Sequence, residues 1–166
     1  MRENSRSGKT YRFNGQMAYS MVQSVAEFHP DYKCIDEAIL DNETLEVACH
    51  VNFSRMKKGG SFHTHPGALD GLTQSGGFAM NANEKVKIDA ELFVNHGWDG
   101  FQIFEKVTHE RRYETLVHMK MVEKGLWKGD VVILSRDNLV AFIKGVKASL
   151  PPFFREKNKS ITENLG

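Results

Sequence analysis

The chain has 166 residues, one domain's worth, and 22 Lys plus Arg against 21 Asp plus Glu give a formal net charge of +1. That balance makes no electrostatic case for nucleic acid or for an anionic membrane surface. No apolar run approaches the roughly 18 residues that span a bilayer, MRENSRSGKTYRF lacks a signal peptide's apolar stretch, and Cys34 and Cys49 form no CxxC pair, so a reduced, cytoplasmic protein is expected.

Residues 1–10 are polar and read as a flexible lead into one domain over 11–150, and 151–166 (PPFFREKNKSITENLG) reads as a tail. Asn14 is a candidate cap for a helix running through Phe28, in which Met17, Met21, Val22 and Val25 recur at helical spacing before His29, Pro30 and Asp31 stop it. KCIDEAIL, the turn DNET and LEVACHVNF then form a hairpin. A second, longer, Gly-rich helix opens at Pro66 inside FHTHPGALDGLTQSGGF. Strand signals follow in AELFVNHGW, FQIFEKV, RYETLVHMKM, GDVVILS and NLVAFIKGV, with SRDN as the last turn. An antiparallel sheet wrapped around its longest helix buries these faces best, which is the α+β layout of a single hot-dog fold. One hot dog ordinarily packs edge to edge against another, so dimerisation into a double hot dog is expected.

The Gly-rich helix also carries the candidate chemistry. Pro66 at the first helical position places Asp70 one turn in, where the helix dipole should favour the ionised carboxylate. Gln74 lies four residues on, on the same face, able to orient that carboxylate, and Thr73 and Gly77 widen the stripe. Gly71, Gly76 and Gly77 each cost about 1 kcal/mol of helix propensity relative to Ala, so either a sheet or a ligand must come close. A purely structural helix packed under a sheet, with Asp70 capping or salt-bridging, accounts for the same residues. His63 and His65 have the spacing of two metal ligands on a strand but lack a third, so no metal is expected. His96 follows Asn95 in VNHGW as a polar break at a strand end. There is no GxSxG and no phosphate loop, and no cofactor is expected.

Over about Tyr11 to Val146 the sequence resembles the product-template domain of fungal non-reducing polyketide synthases, a relative of the polyketide synthase dehydratases. RFNGQMAY, CIDEAILDNETLEVA, HPGALDGLTQSGGFAMNAN, VNHGW and GDVVILSRDNLVAFIKGV carry the resemblance. It implies a double hot dog that holds a poly-β-ketone tethered to an acyl carrier protein and directs its aldol cyclisation and aromatisation. The implied dyad is a histidine from the first hot dog and an aspartate from the second. The aspartate falls on Asp70, its orienting glutamine on Gln74 and a polar pocket residue on Asn95; His96, Thr73 and Gly77 complete the expected substrate contacts. Enolising a carbon between two carbonyls needs a base, for which neutral imidazole suits pH 7, while a carboxylate can orient that imidazole or give a proton to departing water. The chain resembles the second half of such a domain, so the half bearing the histidine is expected to be missing. His65 or His63 are the local candidates to replace it, beside Asp70 or across a homodimer interface, and a complementary hot-dog polypeptide is the other source. The expected function is a cyclase/aromatase, with a β-hydroxyacyl dehydratase and a non-catalytic polyketide-binding half as alternatives.

Overall fold

The structure, a computed structural model, describes residues 10–23, 26–57, 59–84 and 92–151. The expected flexible lead, the tail beyond Pro151 and parts of two expected elements, at 24–25 and 90–91, lie outside the described residues. Chain order is β1 (Thr10–Asn14), α1 (Gly15–Met21), a 3-10 turn (Pro30–Tyr32), β2 (Ile35–Asp41), β3 (Glu46–Asn52) and α2 (Pro66–Asn81). Then come β4 (Val94–Gly97), β5 (Gly100–Ile103), β6 (Arg112–Glu123), β7 (Leu126–Ser135) and β8 (Asn138–Ser149). The strands form one sheet in the order β1-β2-β3-β6-β7-β8-β4, with β5 also paired to β8 and every pairing antiparallel. The sheet curls around α2, the hot-dog arrangement.

Alternating burial along β6 explains why one face of the sheet takes the helix: Tyr113, Thr115, Val117 and Met119 are buried, while Glu114, Leu116 and His118 between them are only partly so. In β8 the alternation changes phase. Ala141 and Ile143 point inward, and after Gly145 the inward set becomes Val146 and Ala148. Gly145 has φ +64, its N–H donates to Asp130 Oδ1 at 2.8 Å, and the β7 register shifts beside it. This bulge lets β8 turn Val146 toward α2 and lets β5 and β4 share one edge, on residues 141–144 and 147–149 respectively.

The Asn14 cap forms as expected, its side chain accepting from Met17 N–H at 2.9 Å. The helix it starts is shorter than expected and ends at Met21. The reason is a ring contact: Phe28 packs edge-on against Tyr19 with centroids 5.3 Å apart. Residues nine apart on a continuous helix lie about 13.5 Å along the axis and on opposite sides, so the chain must leave the helix to bring these rings together. β1 was not anticipated, because five residues of mixed polarity give a weak strand signal; register with β2 holds it as an edge strand.

Of the four α2 glycines, Gly67, Gly71, Gly76 and Gly77, the middle two are explained by packing against the sheet side. A Cβ built on Gly71 would stand 2.9 Å from Phe53 Cε1 and 3.0 Å from Cys34 Cβ, and one on Gly76 would stand 3.3 Å from Val146 Cγ1. Ala68, Leu72, Ala79 and Met80 fill the rest of the interface from the helix side. Gly71→Ala should therefore destabilise the fold by up to about 2 kcal/mol, the overpacking cost of about 1–3 kcal/mol less the propensity gain of about 1 kcal/mol. Urea unfolding checks this, and a stabilised variant would show that the helix is not held at that spacing.

Candidate functional site

A cavity of about 410 Å³ opens beside α2. Asp70, Thr73, Gln74, Gly77 and Asn81 form its helix wall, Tyr19 and Val22 come from α1 and its end, Asn95 and Trp98 from the β4 segment, and Val146 from the β8 bulge. The walls are mainly apolar, so the few polar groups stand out.

Asp70 and Gln74 meet as the spacing implies: Gln74 Nε2 donates to Asp70 Oδ2 at 2.7 Å. Gln74 Nε2 also donates to Tyr32 O at 2.9 Å, and its Oε1 accepts from the Tyr19 hydroxyl at 2.7 Å. The Tyr19 oxygen in turn accepts the Ile35 N–H at 3.0 Å. Burial pushes the Tyr19 hydroxyl far above its ordinary pKa, so it stays a donor. Burial also pushes the thiol of Cys34 up to about 12, with the Asp70 charge adding to the effect, so Cys34 remains neutral.

The electrostatic expectation for Asp70 is corrected. Its residue keeps contact with solvent, yet the surrounding protein raises the carboxyl above the ordinary range, and the Gln74 hydrogen bond offsets this only partly. The dipole field fades within the first turn, and Asp70 is the fifth residue of α2. Desolvation wins.

Both local histidines are elsewhere. His65 is the N-cap of α2, its Nδ1 accepting from Gly67 N–H at 3.1 Å. With His63, Phe62 and His109 it borders a separate hollow of about 320 Å³, and the His65 and His109 ring centroids are 5.6 Å apart. Five residues on a helix turn through about 140°, so His65 and Asp70 face different ways. Pairing either histidine with Asp70 inside one chain is therefore not what the fold brings about, and among the described residues no histidine lines the Asp70 cavity.

The expected substrate contacts divide. Asn95 lines the cavity with Nδ2 3.5 Å from where a Gly77 Cβ would be, and Thr73 and Gly77 line it too. Gly77 is thus the glycine that keeps the pocket open. His96 is exposed and outside the lining, since successive strand residues face opposite ways and the register shifts between Asn95 and Gly97. Asn81 and Tyr19 were missed. Buried Asn81 accepts Phe93 N–H at 3.0 Å and donates to Phe93 O and Gly77 O, both at 2.9 Å, so it clamps the chain entering β4 to the end of α2. Its signal was a polar residue at a core position in GFAMN.

Among the described residues, no group of three or more His, Cys, Asp or Glu could hold a metal ion, and no helix is long and apolar enough to cross a membrane.

Sheet topology and a carboxylate–amide pair on the central helix define a hot-dog protein with a polar site inside an apolar pocket. Residues 5–150 match the family described as polyketide synthase dehydratase N-terminal domain, and the chain belongs to that family. It is 65% identical over 146 residues to the non-reducing polyketide synthase VdtA of Byssochlamys spectabilis, covering 88% of this chain and 6% of that protein. It is 41% identical over 151 residues to the norsolorinic acid synthase stcA of Emericella nidulans, covering 90% of this chain and 7% of that protein. The chain thus spans a small fraction of these relatives. Among solved structures it resembles the dehydratase domain from the CurJ module of the curacin polyketide synthase, with TM-score 0.68 and 16% identity over 89% of this chain and 52% of that one. The dehydratase domain of PpsC from Mycobacterium tuberculosis gives TM-score 0.69 at 14% identity, over 86% of this chain and 52% of that one. At such identities the likeness establishes the fold.

A raised carboxyl pKa has a sign that stability measurements can read. The folded state holds the Asp70 proton more tightly than the unfolded chain does, so this contribution is full below the unfolded value of about 3.9 and is lost as pH rises through the raised folded value. Asp70→Asn should accordingly be at least as stable as the parent at pH 7, with the difference shrinking toward pH 3. Urea titrations across that range check it. A variant clearly less stable at pH 7 would mean that the ionised carboxylate supports the fold.

Proposed function

We propose that residues 11–150 form the second hot dog of a product-template-type domain, and that Asp70 and Gln74 supply the acid half of an acid/base cyclisation of a poly-β-keto intermediate. The observation that carries this reading is the Asp70 carboxyl, raised in pKa and held by Gln74 at the mouth of an apolar cavity of about 410 Å³. The 65% identity to a protein named as a non-reducing polyketide synthase supports the substrate class. The matched family's description names an N-terminal domain. Placement as the second half rests instead on HPGALD with Gln74 and on a cavity that carries an acid but, among the described residues, no histidine.

In the proposed reaction a base removes a proton from a methylene between two carbonyls, and the resulting carbanion attacks a ketone carbon to close the ring. The alkoxide takes up a proton, and loss of that hydroxyl as water aromatises the ring. Asp70, with its pKa raised, is suited to protonate the oxygen that leaves, and Gln74 keeps the carboxyl facing the cavity. Asn95 and Thr73 offer hydrogen bonds to carbonyl oxygens of the chain, and Gly77 leaves room for it. The base comes from an imidazole on a second hot dog, either a homodimer partner or a complementary polypeptide, with the substrate delivered on an acyl carrier protein.

A dehydratase acting on a β-hydroxyacyl polyketide is the second reading, favoured by the family match and by the solved dehydratase domains that share the fold. Both reactions need the same acid. To separate them, a non-reducing synthase lacking its own product-template domain is incubated with this chain, with and without a histidine-bearing first hot dog, and products are read by mass spectrometry. The expected outcome is a shift to cyclised aromatic products that Asp70→Asn reduces by about 100-fold or more. Conversion of a β-hydroxyacyl thioester without any change in cyclisation would favour the dehydratase. A product pattern indifferent to Asp70→Asn would leave a non-catalytic binding half.

A further inference from the structure

The Asp70–Gln74 pair continues inward to a group that neither its motif nor its chemistry requires. Tyr19 sits on α1, far from α2 in sequence, and is nearly buried at 9% exposure. Its oxygen accepts the Ile35 N–H at 3.0 Å, which ties it to the start of β2. The hydroxyl has one hydrogen to give and two acceptors in range, Gln74 Oε1 at 2.7 Å and Tyr32 O at 3.4 Å. The shorter contact takes it. Gln74 Oε1 is thereby fixed as the acceptor end of the amide. The NH₂ end then faces two acceptors, Asp70 Oδ2 at 2.7 Å and Tyr32 O at 2.9 Å. A flipped amide would set its oxygen against the Tyr32 carbonyl and the Asp70 carboxylate alike and would leave the Tyr19 hydrogen facing N–H groups.

We propose that Tyr19 is a positioning residue for Asp70, acting through Gln74: its hydroxyl, anchored by the β2 backbone, locks the amide so that N–H is always presented to the carboxylate. This rests on the reading of Asp70 as the working acid of the cavity. Asp70 has no second side-chain hydrogen-bond donor among the described residues, so control of Gln74 is control of its environment. The other titratable group in electrostatic reach of Asp70 is the Cys34 thiol, which also feels the charges of Asp36 and Arg55, and Lys33 Nζ lies 5.9 Å from the Tyr19 ring centre. Packing fixes the ring independently of the hydroxyl, through the edge contact with Phe28 and the buried Ala18 and Val22 beside it. Removing the oxygen alone is therefore a meaningful test.

The test reads the Asp70 carboxyl directly, by carbon-detected NMR titration of parent protein, Tyr19→Phe, Gln74→Ala and the double variant. Gln74→Ala removes the donor and should raise the Asp70 midpoint. Tyr19→Phe should raise it in the same direction by about half a pH unit, and should add nothing in the Gln74→Ala background. An unmoved midpoint in Tyr19→Phe, with Gln74→Ala shifted, would reduce Tyr19 to packing. A Tyr19→Phe shift that persists in the double variant would show that it does not act through Gln74. Should Tyr19→Phe fail to fold, the parent protein still decides: the Gln74 side-chain NH₂ must exchange with solvent at least about tenfold more slowly than an exposed amide, and a freely exchanging one overturns the proposal. Because the titration needs no substrate, the positioning role can stand where Asp70→Asn proves indifferent in the synthase assay. It can equally fail where that assay succeeds.

Discussion

Everything in the site depends on how near α2 can come to its sheet. Side chains on a helix face act as a spacer from whatever it packs on, and the missing Cβ atoms of Gly71 and Gly76 remove that spacer against Phe53, Cys34 and Val146. The cost is about 1 kcal/mol of helix propensity for each glycine, which the packing of Leu72, Phe78 and Met80 more than offsets. Because the helix is drawn in on one side, its opposite stripe, Asp70, Thr73, Gln74 and Gly77, is left facing a gap that α1 and the β4 segment only partly close. The cavity is the remainder of that packing solution. Gly145 belongs to the same constraint, since without its bulge Val146 would not point at Gly76.

Inside this gap the polar groups keep one another in fixed protonation states. Burial holds Tyr19 in the cavity wall and Cys34 beside it neutral, and it raises the Asp70 carboxyl above its ordinary range. A carboxyl near a helix start is ordinarily easy to ionise, and here desolvation raises it instead. In the proposed reading, that rise suits a proton donor. Gln74 moderates the rise, because its N–H stabilises the carboxylate form.

Local patterns in the sequence reached far into the fold. The hairpins, the SRDN turn and the start of α2 at Pro66 follow from strand alternation, turn chemistry and the N1 preference for proline, and the i, i+4 spacing gave the Asp70–Gln74 contact. What escaped was tertiary. The end of α1 is set by Phe28 folding back on Tyr19, a ring contact invisible to periodicity. Asn81 reads as one more polar residue until its two-way pairing with Phe93 is seen. Tyr19 lies 55 residues from Gln74, and no spacing rule connects them. Within one chain the histidines do not reach Asp70, for a geometric reason: HTHPGALD puts an imidazole and a carboxylate close in sequence, but the helix turns them apart.

That geometry bears on why a second hot dog belongs in the proposed reading. A base able to work with Asp70 must approach the open side of the carboxyl, because Gln74 occupies Oδ2 and α2 itself fills the space behind. An imidazole at the N-cap is already committed to the Gly67 N–H and lies on the wrong side of the axis. Residues on the inner strands reach α2 from its packed face, where Phe53, Cys34 and Val146 already fill the space against Gly71 and Gly76. The approach that remains is from outside the chain, past exposed Trp98 and Val94 at the cavity rim. In the proposed reading, a second hot dog docked at this rim would cover them. On that arrangement the acid and the base would meet only after assembly, and neither half alone could enolise its substrate.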